Sequence, residues 1–200
     1  VITIGRQGTR PHICWSMEKL QSEGVEVREV DRGGDVTFHG PGQLVGYPLL
    51  PLSKPGWTGG RLPVADFTGY LRKLEQALIH LLARLEIVAM QREGLTGVWV
   101  PAETWARCLR CDPNLKPVPA KIASIGVKVD ARGSSRHGFA LNVNPNMSFW
   151  ESVVPCGLEG VQMACVADFI TPPKMIEIAR IANEEIGKSL DYFMESSVLK

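Results

Sequence analysis

The chain has no run of apolar residues long enough to cross a lipid bilayer. A membrane-spanning helix needs about 20 consecutive apolar residues, and the hydrophobic residues, 44% of the 200, are interrupted by polar and charged ones well short of that length. The chain also does not open with the positive charges and short apolar run of a secretory signal. These two absences predict a soluble protein.

Charge of one sign is not in excess either. The chain carries 22 Lys and Arg against 21 Asp and Glu, a formal net charge of +1. Proteins whose main partner is nucleic acid or an anionic membrane usually carry a marked positive excess. The sequence therefore offers no electrostatic argument for either partner.

Cysteine is scarce, with five residues in the chain. An odd number in a chain too long to need disulfides for its core predicts free thiols and a cytoplasmic location. Cys108 and Cys111 form a Cys-x-x-Cys pair, but a structural zinc site needs a second, closely spaced pair of ligands. They are weak zinc candidates, and we predict no metal and no cofactor.

No phosphate loop or serine-hydrolase motif is complete. Gly187-Lys188-Ser189 resembles the end of a phosphate loop, but Ala182 replaces the glycine that should come five residues before Gly187. Ile122 stands where a nucleophile elbow around Ser124 requires its first glycine. We therefore predict neither a phosphate loop nor a serine nucleophile.

The spacing of apolar residues predicts one catalytic domain over residues 1–200. Strand-like alternation occurs in residues 25–50, 97–100, 122–129 and 138–143, the last two as a hairpin. Helical spacing occurs in residues 67–85 and again after the Thr171-Pro172 start signal, with a frayed tail from residue 191. Because Val1 opens a strand without a methionine, we expect part of the natural amino-terminal helix or strand to be missing.

The most informative stretch is residues 32–43, Arg-Gly-Gly-Asp-Val-Thr-Phe-His-Gly-Pro-Gly-Gln. Its glycines permit the backbone to approach a long, thin ligand closely. His39 is as compatible with a hydrogen-bonded turn residue as with a group that orients a thioester or binds the phosphopantetheine arm of a carrier protein.

Cys156 lies between Pro155 and Gly157, which end regular structure and place the thiol on a loop. A thiol with a pKa near 8.5 is only slightly ionised at neutral pH, so an enzymatic cysteine needs a cation or donor beside it. Lys121, at the start of an apolar strand, is the candidate. On these residues alone, a space-filling cysteine and a solvated lysine remain the more common alternatives.

Three motifs together resemble the lipoyl(octanoyl) transferases, the acyltransferases of lipoate biosynthesis. Residues 32–43 resemble the family's signature, and residues 121–127 resemble its lysine motif. Residues 137–143, followed by Pro155-Cys156-Gly157-Leu158, resemble its acyl-binding strand and nucleophile loop. The order and spacing fit as well, and the resemblance spans nearly the whole chain.

The resemblance implies an α+β fold with a mixed, largely antiparallel sheet flanked by helices, as in biotin protein ligases and lipoate ligases. It implies that Cys156, activated by Lys121, takes the octanoyl group from octanoyl acyl carrier protein as a thioester and passes it to a lysine of an apo lipoyl domain. The implied acceptors are E2 subunits of 2-oxoacid dehydrogenases and the glycine cleavage H protein. Neither nucleic acid nor membrane takes part, and a monomer is expected.

The resemblance also assigns the walls of the acyl pocket. The expected substrate-binding residues are Arg32, Gly33, Gly34, Asp35, Val36, Thr37, Phe38, His39, Ser124, Ile125, Gly126, Gly138, Phe139 and Ala140. Backbone amides around Gly157 and in the Gly33-Gly34 turn are the expected donors to the oxyanion of the tetrahedral intermediate.

Two features depart from the family pattern. The segment of residues 101–120, which holds the Cys-x-x-Cys pair, is longer than expected before the lysine motif, and no helical pattern marks the usual amino-terminal helix. One alternative is an ATP-dependent lipoate or biotin protein ligase on the same fold, which would form an acyl adenylate without Cys156. Another is a non-catalytic binding protein stabilised by zinc.

Overall fold

A computed structural model describes residues 1–52, 67–109, 117–158 and 160–198, with residue 156 and residues 191–198 described for their backbone alone. Within these ranges the strands form two sheets, one small and one large. No helix in the described ranges is long and apolar enough to cross a membrane.

The small sheet contains three short strands near the start of the chain. They are β1 (Ile2–Ile4), β2 (Val27–Glu29) and β3 (Val36–Phe38). The central strand β1 pairs in parallel with β2 and antiparallel with β3. Helix α1 (Met17–Ser22) buries Leu20 against this sheet, where Trp150 and Val153 complete a small apolar core.

The large sheet has the order β4-β8-β7-β6-β5. Its strands are β4 (Gln43–Gly46), β5 (Met90–Arg92), β6 (Leu95–Val100), β7 (Ala120–Val129) and β8 (Ser135–Asn142). Every neighbouring pair on this path is antiparallel, and β9 (Gln162–Met163) adds a short parallel pairing at the start of β7. The predicted mixed, largely antiparallel sheet is confirmed.

Two long helices, α2 (Phe67–Arg84) and α4 (Met175–Val198), flank the large sheet, and α3 (Ala102–Trp105) follows β6. The apolar stripe predicted for α2 is buried: Tyr70, Leu74, Leu78, Leu81 and Leu82 have no exposed surface. They pack with strand residues of β6, β7 and β8 in one large core. Burial of this stripe holds α2 against β6, which proves important for the site.

The predicted helix over residues 67–85 and the hairpin of β7 and β8 are confirmed. The predicted start of the last helix at Pro172 is wrong, because Pro173 disfavours helical geometry at the residue before it, and α4 begins at Met175. The predicted frayed tail is also wrong, since α4 continues to Val198. Helix α1 was not predicted, because it is six residues long and buries a single side chain.

Candidate active site

A cavity of about 290 Å³ lies where the small and large sheets meet. Its walls come from the loop before β3, from β3, and from strands β4, β6, β7 and β8. The predicted substrate-binding residues that line it are Arg32, Gly34, Asp35, Val36, Thr37, His39, Ser124, Ile125, Gly126, Gly138, Phe139 and Ala140. Lys121 also lines it, as does Leu158, two residues after Cys156. The three sequence motifs therefore converge on one cavity.

Two predicted wall residues, Gly33 and Phe38, do not line the cavity. Gly33 instead joins the sheets: its N–H donates to the Val127 carbonyl at 3.0 Å, and a Cβ there would lie 2.7 Å from that oxygen. Phe38 stacks on Phe149 with ring centroids 5.2 Å apart, inside the small core. Side chains alternate along a strand, so Phe38 faces away from the cavity that Thr37 faces.

Arg32 is a structural residue of the cavity wall, with 9% of its surface exposed. Its guanidinium donates to the Thr3 carbonyl at 2.7 Å, to the Thr3 hydroxyl at 2.9 Å and to the Gly33 carbonyl at 3.0 Å. These bonds fix the glycine loop to β1. The guanidinium therefore holds the cavity wall in place through hydrogen bonds within the protein.

His39 belongs to a hydrogen-bond network that fixes its tautomer. The Gln43 amide nitrogen donates to the Phe38 carbonyl at 3.2 Å and to Asn142 Oδ1 at 2.9 Å, which leaves the Gln43 amide oxygen 3.2 Å from His39 Nδ1. An amide oxygen only accepts, so Nδ1 carries the proton and Nε2 is an acceptor. Burial lowers the pKa of His39, assisted by the charge of Arg32 and opposed by the bond to Gln43.

Lys121 is the second residue of β7, and only 1% of its surface is exposed. Its ammonium donates to the Thr96 carbonyl at 2.8 Å and lies 5.5 Å from the centre of the Trp99 ring. A cation so placed stabilises an anion in the same cavity more than an exposed one would, because water screens it less.

The backbone beneath Lys121 is held from α2. Glu75 is fully buried, and one carboxylate oxygen accepts from the Gly97 N–H at 2.8 Å while the other pairs with Arg72 at 2.7 Å. Gly97 has φ +118°, and a Cβ there would lie 2.5 Å from Lys121 Cε. Glu75 thus fixes the part of β6 that the Lys121 side chain packs against, and only glycine at position 97 leaves room for the lysine.

The turn that carries Cys156 is a single 3₁₀ turn, Pro155–Gly157. The Cys156 side chain lies outside the described residues. Gly157 has φ +65°, and a Cβ there would collide with Asp35 Oδ2 and come within 3.0 Å of His12 Cε1. His12 Nδ1 lies 2.9 Å from Asp35 Oδ1 and 2.7 Å from Oδ2. A histidine and an aspartate therefore border the Cys156 turn.

Three of the expected backbone oxyanion donors already have carbonyl acceptors. The N–H of Gly157 donates to the Val154 carbonyl at 3.2 Å, that of Leu158 to the Pro155 carbonyl at 3.2 Å, and that of Gly33 to Val127. These bonds close the 3₁₀ turn and join the sheets. The expectation is wrong for these three amides, because each already has a carbonyl acceptor.

Several residues of the site were not assigned from the sequence, among them Trp99, His137, Glu75 and His12. His137 has φ +59° and lies 2.6 Å from Asp31, which Lys128 also contacts. Bonds from Lys128 and His137 hold the pKa of Asp31 far below its ordinary value. Glu75 carried a usable signal, since it is a carboxylate within the apolar stripe of α2. His12 carried none, because its partner is 23 residues away.

The zinc candidates do not form a metal site in the described part of the chain. Cys108 is disulfide-bonded, so the expectation of a free thiol is wrong there and its sulfur is not available to a metal. Cys111 lies outside the described residues. Cys14 and Cys165 have free thiols, and no group of three or more His, Cys, Asp or Glu in the described ranges is arranged to hold a metal ion.

Gly97→Ala is expected to lower the free energy of unfolding by about 2 kcal/mol or more, because the added methyl collides with Lys121 and the backbone is strained for a side chain. Urea denaturation measures the change. The matched control is Gly24→Ala, which has φ +65° but no atom within 4 Å of the added Cβ. Equal losses in both variants would contradict the close fit of Gly97 against Lys121.

His39 is expected to titrate below its ordinary pKa of about 6.5. Its neutral form is favoured in the folded state, so its contribution to stability is full above pH 6.5 and is lost as the pH falls from there towards the folded pKa. NMR titration of the His39 ring measures the midpoint, and His39→Gln assigns the resonance. The wild type should also lose more stability than His39→Gln between pH 7 and 5.5. A midpoint at or above 6.5 would contradict the burial argument.

Comparison with known proteins places this chain in a family. The model of the lipoyl protein ligase A/B catalytic domain matches residues 1–187. An octanoyltransferase of Chloroflexus aurantiacus is 37% identical over 188 residues, which cover 94% of this chain and 74% of that protein.

Solved structures agree on the fold. A bipartite lipoate protein ligase from Thermoplasma acidophilum aligns with a TM-score of 0.64 at 17% identity. The alignment covers 95% of this chain and 67% of the ligase chain. Biotin protein ligase from Aquifex aeolicus aligns with a TM-score of 0.50 at 14% identity. The alignment covers 98% of this chain and 71% of the biotin ligase chain. At such identities the likeness concerns the fold alone, and it confirms the predicted kinship with both ligase folds. The chain belongs to the family of lipoyl protein ligase A/B catalytic domains, in its octanoyltransferase group, and is an acyltransferase.

Proposed function

We propose that the chain transfers an octanoyl group from octanoyl acyl carrier protein to a lysine of an apo lipoyl domain through a thioester on Cys156. One observation carries the proposal: a single cavity is lined both by the buried Lys121 and by Leu158, at the end of the Cys156 turn. Such a cavity would place a cation beside a thiol at the end of an apolar pocket, which is what a cysteine acyltransferase requires.

In the first step the Cys156 thiolate attacks the thioester carbonyl carbon of the donor. A carbon–sulfur bond forms to Cys156, the bond to the carrier's sulfur breaks, and the carrier leaves as a thiolate that takes a proton. Lys121 lowers the pKa of Cys156 by stabilising its thiolate. Because Thr96 and Trp99 already fix the ammonium, little reorganisation accompanies the reaction.

The octanoyl chain would lie along the apolar part of the cavity. Ile125, Phe139 and Ala140 supply much of that wall, and each methylene group removed from water contributes about 0.8 kcal/mol to binding. Ser124, Gly126 and Gly138 leave room between the larger side chains. We propose these residues, with the lining part of the glycine-rich stretch, as the acyl-binding site.

The proposal extends to the whole chain and its partners. We propose a single catalytic domain over residues 1–200, a cytoplasmic location, and action as a monomer. The proposed acceptors are E2 subunits of 2-oxoacid dehydrogenases and the glycine cleavage H protein. An ATP-dependent ligase on the same fold is the alternative that the experiments below distinguish.

Cys156→Ser is expected to lower octanoyl transfer by about 10³-fold or more, because it removes the nucleophile. Wild-type protein mixed with octanoyl acyl carrier protein should gain one octanoyl group, seen by intact-mass measurement and removed by hydroxylamine. Cys14→Ser, which replaces an exposed thiol, is the matched control and should still be acylated. An unacylated wild type, or a Cys156→Ser variant that modifies a lipoyl domain from free octanoate and ATP, would contradict the proposal.

Lys121→Met is expected to raise the pKa of Cys156 by at least one unit, since each unit corresponds to about 1.4 kcal/mol of lost thiolate stabilisation. Methionine keeps most of the side-chain volume without the charge. The measurement is the pH dependence of Cys156 alkylation in the Cys14→Ser background. Lys19→Met, an exposed position, is the control. An unchanged alkylation profile would rule out this role for Lys121.

A further inference from the structure

Residues 12–14 run alongside the segment that leads into the Cys156 turn. The N–H of Cys14 donates to the Ser152 carbonyl at 2.8 Å, and the N–H of Val154 donates to the His12 carbonyl at 2.8 Å. Ile13 and Val153 form an isolated antiparallel bridge. This pairing places His12 opposite Val154, immediately before Pro155–Gly157.

The His12 ring is oriented by a carboxylate. Its Nδ1 lies within hydrogen-bond distance of both Asp35 oxygens, and Asp35 Oδ1 also accepts from the Val36 N–H at 2.7 Å. A carboxylate accepts, so Nδ1 carries the proton and Nε2 of the neutral ring is a proton acceptor. An imidazole held in one tautomer by an aspartate is the arrangement of a general base.

The ring also lies close to the turn. Its Cε1, the carbon between Nδ1 and Nε2, would be 3.0 Å from a Cβ on Gly157, the residue after Cys156. The absence of a side chain at Gly157 lets the His12 and Asp35 pair lie directly against the turn. No hydrogen bond of Nε2 occurs among the described residues.

We propose that His12 is the general base of the second half of the reaction, in which the acceptor lysine displaces Cys156 from the octanoyl group. This inference rests on the proposed function. Asp35 acts through His12 and is a positioning residue for this step.

The proposed step balances as follows. The acceptor lysine loses its ammonium proton to water and attacks the thioester carbonyl carbon as a neutral amine. The carbon–nitrogen bond forms, and the nitrogen passes a second proton to His12 Nε2. The carbon–sulfur bond then breaks, and its electron pair leaves on Cys156 as a thiolate beside Lys121. The imidazolium, paired with Asp35, returns its proton to water.

Exposure separates His12 from Lys121. About 31% of the His12 side chain is exposed, compared with 1% of Lys121. A lysine carried by another protein can therefore reach His12 from solvent, whereas Lys121 lies deep in the cavity. Lys121 also stabilises the departing Cys156 thiolate, and it does so only while it keeps its proton.

The charges around His12 are few. Asp35 is the charged group that contacts its ring among the described residues, and Cys156 is the titratable residue on the facing turn. Arg10, on the same 3₁₀ turn as His12, points to Glu29 at 3.7 Å. Among the described residues, His12 and Asp35 are therefore the ionisable groups that lie together against the Cys156 turn.

The experiment separates the two half-reactions. Protein is loaded with octanoyl from octanoyl acyl carrier protein, freed of donor, and mixed with an apo lipoyl domain, and intact mass follows the decay of the acyl enzyme. His12→Gln is expected to load at the wild-type rate within about twofold but to transfer 10² to 10⁴-fold more slowly, the range for general base catalysis. Both rates should rise with pH because both proteins need the neutral amine, but the ratio of the wild-type rate to the His12→Gln rate should fall at acid pH, where a protonated imidazole cannot accept a proton.

The matched control is His80→Gln, which changes a half-exposed histidine on α2 and should leave both rates unchanged. Equal slowing of loading and transfer in His12→Gln would show a structural role and overturn the proposal, as would unchanged transfer. If His12→Gln fails to fold, a wild-type transfer rate that rises between pH 5 and 8 no more steeply than ionisation of the acceptor lysine alone requires, about tenfold per pH unit, overturns it. A wild type that never forms an acyl enzyme would instead contradict the proposed function.

Discussion

The Lys121 ammonium is buried among strands and a tryptophan ring, and the arrangement around it follows from the cost of burying a charge. An ammonium group removed from water loses several kcal/mol unless polar partners replace the solvent. The Thr96 carbonyl on the neighbouring strand β6 is one such partner, and the Lys121 side chain reaches it by passing close to Gly97, where a Cβ would lie 2.5 Å from Lys121 Cε. This close approach requires a residue without a side chain at position 97. The buried Gly97 N–H also requires a hydrogen-bond acceptor. Glu75 supplies the acceptor from α2.

The same argument explains a charged residue in the middle of an apolar helix face. Glu75 lies between Leu74 and Leu78, which are fully buried in the large core. Its carboxylate is balanced by Arg72 one turn earlier on the same helix. The packing of α2 on the sheet and the position of Lys121 thus depend on each other through Glu75 and Gly97. A substitution that shifts α2 is therefore expected to shift Lys121 in the cavity.

The sequence predicted the elements whose signals are local. The stripe of α2 repeats at helical spacing over 18 residues, and β7 and β8 alternate on either side of a glycine and serine turn. The motifs also predicted most of the cavity wall, because they mark where the backbone comes close to a ligand. The contacts of Glu75 with Gly97 and of His12 with Asp35 could not be predicted, since each joins residues more than 20 positions apart that meet only in the folded chain.

The fold does not determine the reaction, because it is shared with ligases of lipoate and biotin. In the proposed reaction, the outcome of the second half depends on how the tetrahedral intermediate breaks down after the acceptor amine has added to the thioester. If the nitrogen keeps its extra proton, it is the better leaving group, and the intermediate returns to the acyl enzyme. If the nitrogen loses that proton while a cation stabilises the sulfur, the thiolate leaves and the amide forms. Forward transfer therefore needs a base on the side from which the amine arrives and a buried cation beside the sulfur. In the proposed reaction, the partly exposed His12 imidazole against the Cys156 turn meets the first need and the buried Lys121 ammonium in the cavity meets the second.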